Sequence, residues 1–184
     1  AALSDERRRY EAKRMAVYGG MVEAMDHHLG RLFDYLKAVG QYDNTLIIFT
    51  SDNGAEASGP GDPHSFVGRQ GPNSLGYTLD YETLGLKGSY NTISPSFASA
   101  AASPLSLFKF YAAEGGMRLP MIVAGPRVPG VGDVNHSFSF VTDIPPTLLT
   151  HAGLTAPDGS YGGSPVPPLI GVLSLASCTH ASPV

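Results

Sequence analysis

The stretch Thr45-Leu46-Ile47-Ile48-Phe49-Thr50-Ser51-Asp52-Asn53-Gly54 decides how the fold is read. Its first six residues are β-branched, aliphatic or aromatic, and a turn sequence of short polar residues and glycine then breaks the run. A run without the alternation of a half-exposed strand predicts a strand buried on both faces, as in an α/β sheet with helices above and below. Upstream, Met15, Tyr18, Val22, Met25, Leu29, Leu32, Phe33, Leu36 and Val39 recur at spacings of three and four, an apolar stripe on one long helix. Ser4 stands where an N-cap belongs, Asp5 and Glu6 fall in the first turn, and Gly40 is a C-terminal stop. Gly19-Gly20 inside the helix lowers its intrinsic stability, which predicts close backbone packing there.

Downstream of the strand, residues 54 to 103 read as a long loop region rich in Gly, Pro, Ser and Asn. Pro104 to Tyr111 is a short apolar element, helix or strand. Leu119-Pro120-Met121-Ile122-Val123-Ala124 predicts a second buried strand ended by Gly125-Pro126, and His136-Ser137-Phe138-Ser139-Phe140-Val141 a third. Asp143 then caps a short helix with Pro145 and Pro146 in its first turn and Gly153 at its end. From Thr155 onward the chain is rich in Gly, Ser, Pro and Ala without helical or strand period, which reads as linker or disorder. The chain thus divides into an α/β part, residues 1–154, and a tail, residues 155–184.

Composition narrows the function classes. With 184 residues and 42% hydrophobic content the chain is long enough for a core. Only 15% of residues are charged, below the roughly 25% of ordinary soluble proteins. With 22 Gly and 15 Pro, this predicts uncharged loops or a surface that faces further protein. A net charge of −4 argues against nucleic-acid binding. One Cys excludes a disulfide framework and any multi-cysteine metal site, and it fits a reducing, cytoplasmic compartment. No apolar run approaches the ~18 residues of a membrane span, and Asp5-Glu6-Arg7-Arg8-Arg9 lacks the apolar core of a signal peptide.

Three places carry candidate chemistry. Asp52 and Asn53, at the C-terminal end of the strand, offer a carboxylate and an amide carbonyl, two oxygen ligands for a hard cation such as Ca²⁺ or Mg²⁺. Against this, Asp-Asn-Gly is also a good turn sequence whose polar side chains satisfy backbone groups. Glu114-Gly115-Gly116-Met117-Arg118 pairs glycines that let backbone pass close to something with an arginine suited to an anion or to a structural ion pair. Lys109 is a cation in an apolar segment, able to snorkel to solvent or to contact an anion in a site. The six histidines show no ligand spacing, and Cys178 has no activating neighbour.

In order along the chain, Tyr18-Gly19-Gly20-Met21-Val22-Glu23-Ala24-Met25-Asp26, the strand with Ser51-Asp52-Asn53-Gly54-Ala55-Glu56, Glu114-Gly115-Gly116-Met117-Arg118-Leu119-Pro120, and Val141-Thr142-Asp143-Ile144-Pro145-Pro146-Thr147-Leu148-Leu149 resemble the C-terminal part of the sulfatase catalytic domain, closest to bacterial-type arylsulfatases. The resemblance covers roughly residues 10 to 154. It implies a partial alkaline-phosphatase-like fold, a mixed sheet with flanking helices, and hydrolysis of sulfate esters through a formylglycine nucleophile and Ca²⁺. By position it implies that Asp52 and Asn53 complete the Ca²⁺ site and that Lys109 contacts the sulfate, while Arg118 braces its turn.

The departures matter as much. The family's nucleophile motif, Cys or Ser followed by x-Pro-x-Arg, is absent, because Cys178 leads into Thr179-His180-Ala181. The N-terminal aspartates of the metal site have no counterpart either. The resemblance therefore implies a fragment of a calcium-dependent arylsulfatase, inactive by itself and without tight Ca²⁺ binding. Two alternatives stand beside it: a phosphate or phosphonate ester hydrolase of the same superfamily, and a non-catalytic truncated binding or structural module. The expected partner is a small sulfate ester acted on by the complete enzyme, with no nucleic acid and no membrane span.

Overall fold

A computed structural model of the chain describes residues 3–59, 71–126, 128, 130, 132–155, 159–165, 167, 169 and 171. The chain forms two compact units, Ala1–Ile122 and Val123–Val184.

The first unit opens with α1, Asp5–Ala38, whose 34 residues make a rod about 50 Å long. The Ser4 hydroxyl accepts the Arg7 N–H at 3.2 Å, the expected N-cap, with Asp5 and Glu6 complementing the helix dipole. Gly40, at φ 69°, ends the helix as the sequence predicts. The helix is pinned near its start. Arg14 Nε donates to the Thr92 carbonyl at 2.5 Å, the Arg14 guanidinium also reaches the Thr92 hydroxyl, and Asn91 Nδ2 donates to the Arg14 carbonyl at 3.1 Å. Tyr10 donates to the Leu79 carbonyl, and Lys13 lies over the Tyr81 ring.

A one-turn 3₁₀ segment, Tyr42–Asn44, leads into β1, Ile47–Thr50. The region read as one long loop holds two further 3₁₀ turns, Pro72–Leu75 and Tyr81–Thr83, and a helix, α2, Pro95–Ala102. A Ser-Pro start followed by an alanine-rich run drives α2, a signal masked by the surrounding serines. Pro104 to Tyr111, expected as helix or strand, is neither but a loop of turns. A four-residue helix, α3, Glu114–Met117, precedes β2, Met121–Ala124, which neighbours β1 in a two-stranded sheet. The Thr50 hydroxyl donates to the Pro120 carbonyl at 3.0 Å. Ala57, Ile93 and Ala98 form the buried cluster, with Met15, Ala55, Phe97 and Phe108 packed on it.

Several expectations on burial and packing are corrected, among them that of β2, which the sequence predicts as a buried strand and which is largely exposed. β1 is only half-buried, with Phe49 exposed, because among the described residues its sheet has one other strand. The stripe on α1 packs at Met15, but Tyr18, Val22, Met25, Leu32 and Val39 face solvent. Nothing lies within 4 Å of where a Cβ would stand at Gly19 or Gly20, so the close packing predicted there is absent among the described residues.

In the second unit, His136–Val141 is not a strand. Residues 133–140 have no regular structure, and Val141–Asp143 is a 3₁₀ turn. The Phe140 N–H is taken by the Asp143 carboxylate at 2.8 Å, and Phe138 stands 80% exposed with no strand beside it among the described residues. The helix α4, Ile144–His151, follows with prolines in its first turn, and Gly153, at φ 72°, ends it. Asp143 occupies its N-cap position, although its carboxylate serves the preceding turn. Within the segment read as a tail, β3, Ser160–Tyr161, pairs antiparallel with β4, Ser164–Pro165. The helices and the small sheets fit the partial α/β fold that the sequence leads one to expect. No helix among the described residues is long and apolar enough to cross a membrane.

Candidate active site

β1 ends at Thr50 and the chain turns through Ser51-Asp52-Asn53-Gly54, leaving Asp52 exposed and Asn53 half-buried at the strand's C-terminal end. In α/β sheets that edge is where ligands bind. The turn is clamped from behind. The Gly54 N–H donates to the Gly116 carbonyl at 2.9 Å, and a Cβ at Gly54 would stand 2.9 Å from Gly116 Cα and collide with the Gly115 carbonyl. Gly115 presses in turn on the Leu107 and Ser106 carbonyls, the latter 2.6 Å from where its Cβ would sit. Gly116 faces the Tyr111 carbonyl and, at 2.7 Å, that of Phe108. The close passage that the paired glycines predict is therefore real: three backbones stack with no room for a methyl group.

This stack places the 106–111 loop beside the Asp52-Asn53 turn. The Lys109 N–H donates to the Ala55 carbonyl at 3.1 Å, and the Gly115 N–H to the Ser106 carbonyl at 2.9 Å. On either side of Lys109, Leu107 and Phe110 adopt left-handed backbone at φ 63° and 78°. For side-chain-bearing residues that conformation costs about 1–3 kcal/mol each, strain that proteins concentrate at functional sites. Lys109 does not snorkel freely to solvent. Its Nζ lies 2.7 Å from Glu56 Oε2, both side chains are about one-third exposed, and the Phe110 ring centroid is 5.3 Å away. Glu56 Oε1 accepts the Ser58 N–H at 2.7 Å. Burial is the largest single influence on the Glu56 carboxyl and pushes it up. Hydrogen bonds from Lys109 and Ser58, with the Lys109 charge, outweigh it and hold the group below its ordinary value of 4.5.

Among the described residues, the side chains of Asp52 and Asn53 are engaged in no hydrogen bond or ion pair, so their oxygens are unspent. They suit a hard divalent cation as part of its shell. Ca²⁺ takes 6–8 oxygens, and no group of three His, Cys, Asp or Glu side chains able to hold a metal occurs among the described residues. Arg118 Nη1 lies 3.7 Å from Glu114 Oε1, an ion pair between two exposed side chains across α3. His27 and His28 meet edge to face on the exposed middle of α1, with ring centroids 5.4 Å apart. His64, His180 and Cys178 lie outside the described residues.

Sequence reasoning assigned no role to Glu56 or to Gly54. No periodic or spacing signal in the sequence marks Glu56, which the folded backbone alone brings to Lys109.

The Sulfatase family model matches residues 2–154. The chain is 34% identical over 182 residues to an arylsulfatase of Klebsiella aerogenes, covering 98% of this chain and 38% of that protein. It is 36% identical over 164 residues to an uncharacterized sulfatase of Schizosaccharomyces pombe, covering 89% of this chain and 29% of that protein. Over a shorter stretch of 64 residues, 35% of this chain and 12% of the relative, it is 44% identical to a multifunctional alkaline phosphatase superfamily protein of Trinickia caryophylli. The chain thus spans about a third of the length of the first two relatives. With the ordered motifs, the clamped strand-end turn and the matched family model together, this chain belongs to the sulfatase family.

Proposed function

We propose that this chain is the C-terminal part of a calcium-dependent arylsulfatase domain and supplies one side of its active site. The observation that carries the reading is the glycine stack, which fixes two oxygen donors and a lysine on neighbouring backbone at the end of a strand. Asp52 and Asn53 would hold the cation through the carboxylate and amide oxygens. Bound there, a divalent ion would neutralise charge on sulfate oxygens. Lys109 would donate from Nζ to a sulfate oxygen and stabilise the charge that grows on it as the ester bond breaks. The formylglycine nucleophile and the remaining metal ligands would come from outside these residues, so the chain by itself is inactive.

A second reading keeps the site and changes the ester to phosphate or phosphonate. The similarity to the multifunctional alkaline phosphatase superfamily protein favours it. Assaying the complete gene product on an aryl sulfate and the matching aryl phosphate separates the two. Faster turnover of the sulfate is expected, and a preference for the phosphate would overturn the first reading. A Cys- or Ser-x-Pro-x-Arg motif encoded upstream of Ala1 would establish the chain as part of the catalytic domain, and its absence from the complete reading frame would contradict this.

A further inference from the structure

We infer that Glu56 is the positioning residue for Lys109. The inference rests on the sulfatase reading above for its catalytic consequence, but the pairing itself stands on geometry. Lys109 rises from a loop whose backbone is fastened at Ala55 and at α3, so its Cα is fixed. Its four-carbon side chain is not fixed by that, and a lysine in this setting would ordinarily sweep through solvent. Glu56 removes the freedom. One carboxylate oxygen takes the Lys109 ammonium at 2.7 Å, and the other is held at 2.7 Å by the Ser58 N–H, so the carboxylate is itself anchored at its far side. Ser58 is buried, which keeps that anchor rigid.

The arrangement leaves Lys109 with work to do. An ammonium has three donors, and the carboxylate occupies one. The remaining donors can meet an anion while Glu56 keeps the side chain in place, so little conformational freedom is lost when substrate binds. Glu56 never has to touch the ester; it acts through Lys109. The side chains of Asp52 and Asn53, four and three residues earlier on the same segment, are unpartnered among the described residues. One short segment, residues 52–56, thus offers oxygen ligands for a cation at one end and orients the anion-binding lysine from the other.

The test is a double-mutant cycle in the complete gene product, combining Glu56→Gln, which keeps the shape and removes the charge, with Lys109→Ala. Glu56→Gln alone is expected to lower kcat/KM for an aryl sulfate about tenfold, with the loss mainly in kcat. In the Lys109→Ala background the same change should have little further effect. Equal losses in both backgrounds would overturn the inference, because Glu56 would then act other than through Lys109. A second readout needs no turnover. Trace acylation of amines should label Lys109 about fivefold faster relative to Lys87 once the ion pair is gone. An unchanged ratio, or a rise at both lysines together from a loosened fold, would overturn the pairing. If the unaltered gene product turns over no aryl sulfate, the functional reading fails and the acylation ratio alone decides whether Glu56 positions Lys109.

Discussion

At the scale of single residues, the site is built by what is missing. Gly54, Gly115 and Gly116 let three stretches of backbone meet, and each would drive a Cβ into a carbonyl or an α-carbon. Gly115→Ala should therefore destabilise the chain by about 2–3 kcal/mol in denaturant unfolding, the usual cost of overpacking against backbone that cannot step aside. Loss of less than half of that would mean the stack is loose. Glu56 gives a pH signature. Its carboxyl is held below 4.5, so its ion pair contributes stability above that pH, and the contribution is lost as pH falls through the lowered value. The stability difference between the native chain and Glu56→Gln should shrink on acidification and disappear once the carboxyl is protonated. A difference that stays constant into that range would contradict the pairing. Asp52, Asn53 and Lys109 were all legible in the sequence as candidates, from short polar residues after an apolar run and from a cation among apolar neighbours. Glu56 was not, because a lone glutamate in a polar loop carries no periodic or spacing signal, and only the folded backbone brings it to Lys109.

At the scale of elements, α1 shows where local signals suffice and where they do not. Its cap and acidic first turn at one end and its glycine stop at the other are each set by adjacent residues, and all three are where the sequence puts them. Which face is buried depends on partners distant in sequence. Here the anchoring comes from a buried polar cluster that no apolar stripe announces: Glu11 and Arg14, both 8% exposed, pair at 3.2 Å, and Arg14 reaches across to Thr92. Arg14→Ala would strand Glu11 with only the more exposed Arg7 beside it, and should cost about 3 kcal/mol by thermal or chemical unfolding. A cost under 1 kcal/mol would show the cluster to be dispensable. The open space at Gly20 makes the opposite prediction. Gly20→Ala should stabilise this isolated chain by about 1 kcal/mol, the helix-propensity difference, since no neighbour objects. A destabilised isolated chain would contradict the open face. The short elements were the least legible: α2 hid among serines, and the Phe138-Phe140 alternation imitated a strand that has no partner to pair with among the described residues.

At the scale of the molecule, the low charge has a structural counterpart. Among the described residues the buried apolar set is only Ala57, Leu84, Ile93 and Ala98, while Met21, Val22, Met25, Phe49, Ile122 and Phe138 stand at the surface. Further protein packed on such residues would cover them, and the chain spans about a third of the length of its first two relatives. The fold class and the family were legible because the strand, its polar turn, the paired glycines and the Asp-Ile-Pro-Pro helix start occur in a fixed order. The extent of burial was not legible, since a sequence pattern marks a face as apolar without saying what covers it. The central claim is that this chain contributes Asp52, Asn53 and Lys109 to a sulfatase site. The most direct measurement is kcat/KM for an aryl sulfate in the complete gene product, with Asp52→Ala and Lys109→Ala compared against the unaltered protein. The account predicts losses of about a hundredfold or more for each, as when a principal charge-stabilising group is removed. Values within threefold of the unaltered protein for both variants would contradict it.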